Sequence, residues 1–138
     1  MKISTKGRYA LRLLVDLAEN QEDGCIALKD IAERQGISKK YLEQIVPVLS
    51  GAGILKTNRG YRGGYRLAAE PSKYTVGTIL RLTEGSLAPV RCVEQECSDC
   101  ERSTSCPTRY VWQGLYKAVN EYLESITLQD ILDRGKEV

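Results

Sequence analysis

The feature that most constrains this chain is a pair of short amphipathic helical patterns joined by a glycine. The first pattern covers about residues 28–35 and is broken by Gly36. Ser38 is placed to cap the second pattern, in which apolar side chains recur at helical spacing: Tyr41, Leu42, Ile45, Val46 and Leu49. Pro47 lies inside this second pattern, so we expect a kink or a helix end near it.

The segment that follows, ILKTNRGYRGGYRL at residues 54–67, is typical of a β-hairpin because its β-prone ends flank a centre rich in glycine and arginine. Two short helices and then a hairpin predict a winged helix-turn-helix, whose second helix enters the major groove of DNA. The alternative is a helical hairpin followed by an ordinary turn. The candidate groove contacts at the start of the second helix are Ser38, Lys39, Lys40, Tyr41, Glu43 and Gln44. At the hairpin tip, Arg59 and Arg62 are candidates for the minor groove.

Helical patterns also flank this unit. The sequence predicts a first helix over about residues 4–20, another after Thr75, a long one from Pro107 to about Ser125, and a short last one after Thr127. We therefore expect a mainly α fold with a small β-hairpin wing. Residues 1–70 would form the DNA-binding region. Residues 71–138 would supply a linker helix, a cysteine loop at about 86–106 and a long C-terminal dimerisation helix.

Charge and composition narrow the functional classes. Residues 1–66 contain 12 Lys and Arg against 7 Asp and Glu, whereas residues 67–138 contain 8 against 11, which favours a nucleic-acid-binding first half. The chain has no histidine, and this removes the commonest general base and any Cys2His2 zinc site. No catalytic constellation is recognisable, so we do not expect an enzyme. Without a long apolar run or a signal-peptide pattern, we expect a cytoplasmic protein with no membrane association.

Four of the five cysteines lie close together, in the pattern Cys92-x4-Cys97-x2-Cys100-x5-Cys106. Such a loop suits an iron–sulfur cluster, which tolerates irregular spacing. Structural zinc and a thiol–disulfide switch are the alternatives, although zinc prefers two close cysteine pairs. Nearby acidic residues would raise the pKa values of these thiols: Glu94, Glu96, Asp99 and Glu101. Cys25 lies apart, and we expect it to be a small buried or half-buried residue.

Three motifs together resemble the IscR-like family of winged-helix iron–sulfur transcriptional regulators, to which CymR and NsrR also belong. They are ISTKGRYALRLLVDLA at the start, KDIAERQGISKKYLEQ in the helix pair and RGYRGGYRL in the hairpin. The resemblance covers nearly the whole chain, including ITLQDIL near its end. It implies a homodimeric transcription factor that binds DNA. Tyr41, Glu43 and Gln44 would lie on the recognition helix, and Arg59 on the minor-groove wing.

The long C-terminal helix also favours a homodimer on physical grounds. Its apolar stripe from Val111 to Ile126, with Trp112 and Tyr116, is too wide for one small domain to cover. A helix buried within its own subunit is the alternative. Two-fold symmetry in turn matches a palindromic operator in double-stranded DNA.

The resemblance also implies a cluster held by loop cysteines, with a histidine just past the last of them. This chain has Arg109 there, so the implied ligand set is altered. Cys97 is the natural replacement, giving a site of Cys92, Cys97, Cys100 and Cys106, with a 2Fe–2S cluster favoured over 4Fe–4S. A ligand from the partner subunit is the alternative to Cys97. CymR-like members work without a cluster. A regulator that uses thiol chemistry, zinc or a partner protein is therefore the alternative.

Overall fold

A computed structural model describes residues 1–60, 63–94, 101–102 and 104–136, with only the backbone for Asp23. Within these ranges the chain forms six α-helices and one two-stranded antiparallel sheet. The predicted mainly α fold with a β-hairpin wing is confirmed. The helices are α1 (Thr5–Glu19), α2 (Leu28–Gln35), α3 (Lys39–Gly51), α4 (Val76–Glu84), α5 (Arg109–Glu124) and α6 (Leu128–Gly135), and the strands are β1 (Leu55–Asn58) and β2 (Gly64–Leu67). Short 3-10 turns occupy Gln21–Asp23, Pro71–Lys73 and Arg91–Val93.

Side-chain caps set the starts of four helices where the sequence predicts them. Ser4, Ser38 and Thr75 each accept a hydrogen bond from a backbone N–H in the first turn of α1, α3 and α4. Thr127 begins α6 with a capping box. Its hydroxyl accepts from the backbone N–H of Asp130, and the Asp130 carboxylate accepts from the backbone N–H of Thr127. Gly36 ends α2 in the left-handed conformation, with φ at 63°.

One predicted helix boundary is wrong, and one of the two alternatives for Pro47 is not observed. Helix α3 does not end near Pro47 but continues to Gly51, and Pro47 itself faces solvent. The apolar face that α3 buries with Leu49 favours continuing the helix despite the backbone hydrogen bond that proline cannot make. Helix α5 starts at Arg109 rather than at Pro107. Thr108 occupies its N-cap position without a side-chain capping bond, and its hydroxyl lies 3.4 Å from the Cys106 sulfur instead.

The main hydrophobic core surrounds α1, which packs against α2, α3, α4, α6 and β2. Ile79 of α4 and Leu128 of α6 are fully buried in this core beside residues of the first half such as Leu13 and Leu42. A smaller cluster of Val76, Leu80 and Leu87 joins α4 to the partly buried side chains of α5: Tyr116 and Leu123. None of the described helices is long and apolar enough to cross a membrane.

The hairpin is anchored at its base by the segment between α1 and α2. Strand β1 pairs with β2 in a register that places Leu55 opposite Leu67. Ile26 and Tyr65 exchange two backbone hydrogen bonds of 2.8 Å, which form an isolated antiparallel bridge to β2. A Cβ atom at Gly64 would overlap the Ile26 carbonyl, so this approach requires glycine. The hairpin therefore projects from the core in a defined direction.

Candidate functional site

The N-terminal half of α3 presents a polar surface on a buried apolar base. Leu42 and Ile45 are fully buried. Five of the six candidate contacts are exposed, and Tyr41 is the exception: Ser38, Lys39, Lys40, Glu43 and Gln44. The Ser38 hydroxyl accepts from the Tyr41 N–H at 3.0 Å and thereby fixes the start of the helix. This is the arrangement that a groove-reading helix needs, because its first turns must be both accessible and rigid.

Tyr41 differs from the other candidates on α3. It is half-buried, and its ring meets the ring of Tyr9 edge to face at a centroid distance of 5.4 Å. The Arg12 guanidinium lies over the ring of Tyr9, 5.4 Å from its centroid. Tyr41 therefore ties α3 to α1, and only the accessible part of its side chain is left for DNA.

Glu43 forms a weak ion pair with Lys39 across one turn of α3, with nitrogen and oxygen 3.9 Å apart. Both side chains are more than half exposed. An exposed pair of this kind contributes a few tenths of a kcal/mol, so each partner is easily released to contact a base or a phosphate.

Helix α2 is held against α1 by a buried carboxylate that the sequence analysis missed. Asp16 is 1% exposed, and it accepts from the Arg34 guanidinium at 2.6 and 3.0 Å and from the Gln35 amide at 3.0 Å. Arg12 of α1 in turn donates to the Gln35 side chain and carbonyl. The available signal was the position of Asp16, a lone acidic residue within the apolar stripe of α1.

The wing carries Arg59 as an exposed side chain directly after β1, which packs against α3. Gly60 follows with φ at 115°, a conformation that favours glycine. The structure thus places Arg59 at the predicted hairpin tip, on the element next to the reading helix. Arg62 lies outside the described residues.

Two of the four predicted cysteine ligands lie in the described part of the chain. Cys92 is in the 3-10 turn Arg91–Val93, and Cys106 precedes α5; both are half-buried, and neither thiol is in a disulfide with a described residue. Cys97 and Cys100 lie outside the described residues. Among the residues that are described, no group of three potential ligands comes together. Cys25 is half-buried, as expected.

The Cys106 thiol has a lowered pKa, contrary to the effect expected from the acidic loop residues. The main cause is the Thr108 hydroxyl, followed by the Thr108 backbone N–H, and Arg102 adds a favourable charge. These local hydrogen bonds outweigh the desolvation that would raise the pKa of this thiol. Because iron and zinc bind the thiolate, this environment fits the donor chemistry of a metal centre, as does a Cys92 thiol that is in no disulfide with a described residue.

Helix α5 keeps most of its apolar stripe uncovered in the single chain. Tyr116 and Leu123 pack against α4, but five large side chains are exposed: Tyr110, Val111, Trp112, Leu115 and Tyr122. The expectation that this stripe is too wide for one chain agrees with that exposure. Contiguous apolar surface of this kind is characteristic of a protein–protein interface.

A capped helix with a polar first turn, braced by a second helix and flanked by a basic wing, defines a winged helix-turn-helix DNA-binding protein. The family described as "Rrf2: Iron-dependent Transcriptional regulator" matches residues 3–134. The chain therefore belongs to the Rrf2 family of DNA-binding transcriptional regulators, and not to a family of enzymes.

Similar proteins carry two of the names that the motifs suggested, CymR and IscR. The chain is 42% identical to the HTH-type transcriptional regulator CymR of Bacillus subtilis over 95% of its own length and 89% of that protein. It is 39% identical to the regulator IscR of Vibrio atlanticus, over 96% and 75% of the two chains. The structure of CymR, described as the global cysteine regulator of B. subtilis, superposes with a TM-score of 0.81 at 40% identity, covering 97% of this chain and 98% of that one. The resemblance to IscR-like and CymR-like regulators is thus confirmed.

Proposed function

We propose that this chain is a cytoplasmic homodimeric regulator that binds a palindromic operator in double-stranded DNA. Residues 1–70 would form the reading region. The observation that carries the proposal is the N-terminal half of α3, where Lys39, Lys40, Glu43 and Gln44 are exposed on a rigid, capped helix. The exposed apolar face of α5 supports the homodimer, since a second copy would cover the same face by two-fold symmetry.

The proposed DNA-contacting surface, formed by α3 and the wing, is tested by substituting one residue on α3 and one on the wing. Gln44→Ala and Arg59→Ala should each weaken binding to the operator by about 1–3 kcal/mol, because each removes a contact to a base or a groove. Lys136→Ala is the control, since Lys136 is an exposed cation after α6, on a different element. Affinities are measured by fluorescence anisotropy at fixed salt. Wild-type affinity in both reading-surface variants would contradict the assignment.

For the sensed signal, the proposal is an iron–sulfur cluster held by Cys92, Cys97, Cys100 and Cys106, with 2Fe–2S favoured over 4Fe–4S. The support is that Cys92 and Cys106 are half-buried and in no disulfide with a described residue, and that hydrogen bonds favour the Cys106 thiolate. The family description, which names an iron-dependent regulator, agrees with it. The Cys97 thiolate would take the place of the histidine that this chain lacks, which gives a site of four thiolates.

The mechanism follows from where Cys106 lies. A bound cluster supplies a centre that responds to iron, sulfide and oxidants. Cys106 stands immediately before the turn that leads into α5, so Cys92 and Cys106 would restrain the start of α5 if both held a cluster. In a dimer paired along α5, a change at that point alters the distance between the two copies of α3, and hence their fit to successive major grooves.

Metal analysis of anaerobically purified protein tests this signal. The expected result is a red or brown protein with iron and sulfide in similar amounts. The Cys92→Ala/Cys106→Ala double variant should be colourless and should no longer change its operator affinity with iron or oxygen. A wild-type protein that carries stoichiometric zinc and no iron would contradict the cluster and leave the DNA-binding proposal intact.

The second candidate is a regulator without a cluster. It is favoured by the similarity to CymR, whose structure is described as that of a global cysteine regulator. In this case the loop cysteines would act through thiol–disulfide exchange, through zinc or through a partner protein. An operator affinity that changes with a thiol oxidant in iron-free wild-type protein, and not in the double-cysteine variant, would favour thiol exchange.

A further inference from the structure

Two glutamates occupy equivalent positions at successive helix junctions. Glu124, the last residue of α5, reaches the N-terminus of α4, and Glu84, the last residue of α4, reaches the N-terminus of α1. Each carboxylate therefore lies where the exposed N–H groups of the next helix favour negative charge. The two junctions connect α5 to α4 and α4 to α1 in series.

The junction of α5 with α4 is built from directional polar contacts. The Glu124 carboxylate accepts from the Thr75 hydroxyl at 3.1 Å and from the Arg81 guanidinium. Arg81 also donates to the Asn120 side chain at 3.0 Å, one turn earlier on α5. The pKa of Glu124 is lowered, chiefly by the hydrogen bond from Arg81. A Cβ atom at Gly77 would overlap the carboxylate, so glycine provides the space that Glu124 occupies.

The junction of α4 with α1 repeats this construction. The Glu84 carboxylate accepts from the Ser4 N–H at 2.9 Å and from the Ser4 hydroxyl at 2.6 Å. Gly7 is buried, and a Cβ atom there would overlap the same carboxylate. From α1 the connection continues to the helix pair, because Asp16 binds Arg34 of α2 and Tyr9 packs on Tyr41 of α3.

We propose that Glu124 and Glu84 are positioning residues for operator binding, which fix α5 relative to α4 and α4 relative to α1. This inference rests on the proposed homodimer paired along α5. The apolar contacts between α4 and α5 involve side chains that are only partly buried on α5, such as Tyr116 and Leu123. Apolar contacts have no direction and permit sliding, whereas the carboxylate junctions accept one geometry. The distance between the two copies of α3 in a dimer would therefore depend on both glutamates.

The test compares a full palindromic operator with a single half-site, since only the full site depends on that distance. Glu124→Gln and Glu84→Gln should each lower affinity for the full site at least about tenfold while changing half-site affinity less than about twofold. Gly77→Ala should act like Glu124→Gln without removing a charge, because the new methyl group displaces the carboxylate. Glu121→Gln is the matched control, as Glu121 lies on α5 and pairs only with Lys117 of the same helix among the described residues.

Each outcome bears on a distinct claim. Wild-type protein that shows no preference for the full site would overturn the proposed dimeric function, and this inference with it. Wild-type preference that persists in Glu124→Gln, Glu84→Gln and Gly77→Ala would overturn the positioning role alone. An equal loss on both sites would also overturn it, because it would indicate damage to the reading helix. Sedimentation and circular dichroism establish that each variant is a folded dimer.

Discussion

Asp16 illustrates at the scale of one residue how a charge can organise an apolar helix. It is 1% exposed within α1, and its two oxygens take three hydrogen bonds from α2. Asp16→Ala would leave Arg34 and Gln35 without this acceptor and should reduce the free energy of unfolding by about 2–3 kcal/mol. Urea denaturation measures the change. Glu33→Ala, an exposed change on α2, should shift stability by less than about 0.5 kcal/mol, and equal costs for the two variants would contradict the role of Asp16.

Glu124 gives a second prediction at this scale, for the dependence of stability on pH. Its folded-state pKa lies below the ordinary value of 4.5, mainly because Arg81 donates to the carboxylate. A lowered folded-state pKa means that the stabilisation is present above 4.5 and is lost as the pH falls through the folded-state value. Wild type should therefore exceed Glu124→Gln in stability at about pH 7, and the difference should shrink towards about pH 3. Denaturation at both pH values checks this, and a constant difference would contradict it.

The sequence predicts single residues unevenly. Caps such as Ser38 and Thr127 are readable because a cap acts on the N–H groups two or three residues ahead. The partners of Asp16 and Glu84 are not readable in this way. Asp16 of α1 contacts Arg34 of α2, and Glu84 contacts Ser4, which lies 80 residues earlier in the chain. Such pairs depend on how the helices pack, which the local sequence pattern does not predict.

At the scale of elements, α3 tests how a helix tolerates an internal proline. The helix continues through Pro47 to Gly51, and the proline is exposed. Pro47→Ala would restore the missing backbone hydrogen bond and remove the clash with the preceding turn, so stability should rise by about 1–3 kcal/mol. Chemical denaturation gives the difference. Val48→Ala, the next position, should not stabilise, since it removes a half-buried side chain. Unchanged or lower stability in Pro47→Ala would show that the proline is already accommodated.

The positions of helices and strands were predictable where the spacing of apolar residues and the helix-breaking residues indicate the same boundaries. The sequence places α2 at residues 28–35 and the hairpin at 54–67, and both are observed. The helix end considered near Pro47 is not observed, and the helix start predicted at Pro107 is wrong. In α3, burial of the apolar face beyond Pro47 decides where the helix ends. Before α5, the Thr108 hydroxyl bonds the Cys106 sulfur and does not cap the helix, which local preference cannot indicate.

At the scale of the whole molecule, the exposed face of α5 yields a prediction about assembly. Leu115→Glu places a charge at the centre of this face, where a paired helix would have to bury it. The variant should sediment as a monomer at concentrations where wild type is a dimer, and it should lose affinity for a full palindromic site. Gln113→Glu, an exposed change on the same helix, should remain dimeric. A dimeric Leu115→Glu protein would contradict pairing along α5.

The sequence alone determined the order of the helices and wing, the candidate reading residues on α3, and the family. These follow from periods, caps and motifs that act over a few residues. Only the tertiary structure decided that α3 continues past Pro47, that Tyr41 packs on Tyr9, and that Asp16, Glu84 and Glu124 connect one helix to the next. The physical reason is that these contacts join residues distant in the chain. Their geometry is set by the packing of a common core, which no local pattern encodes.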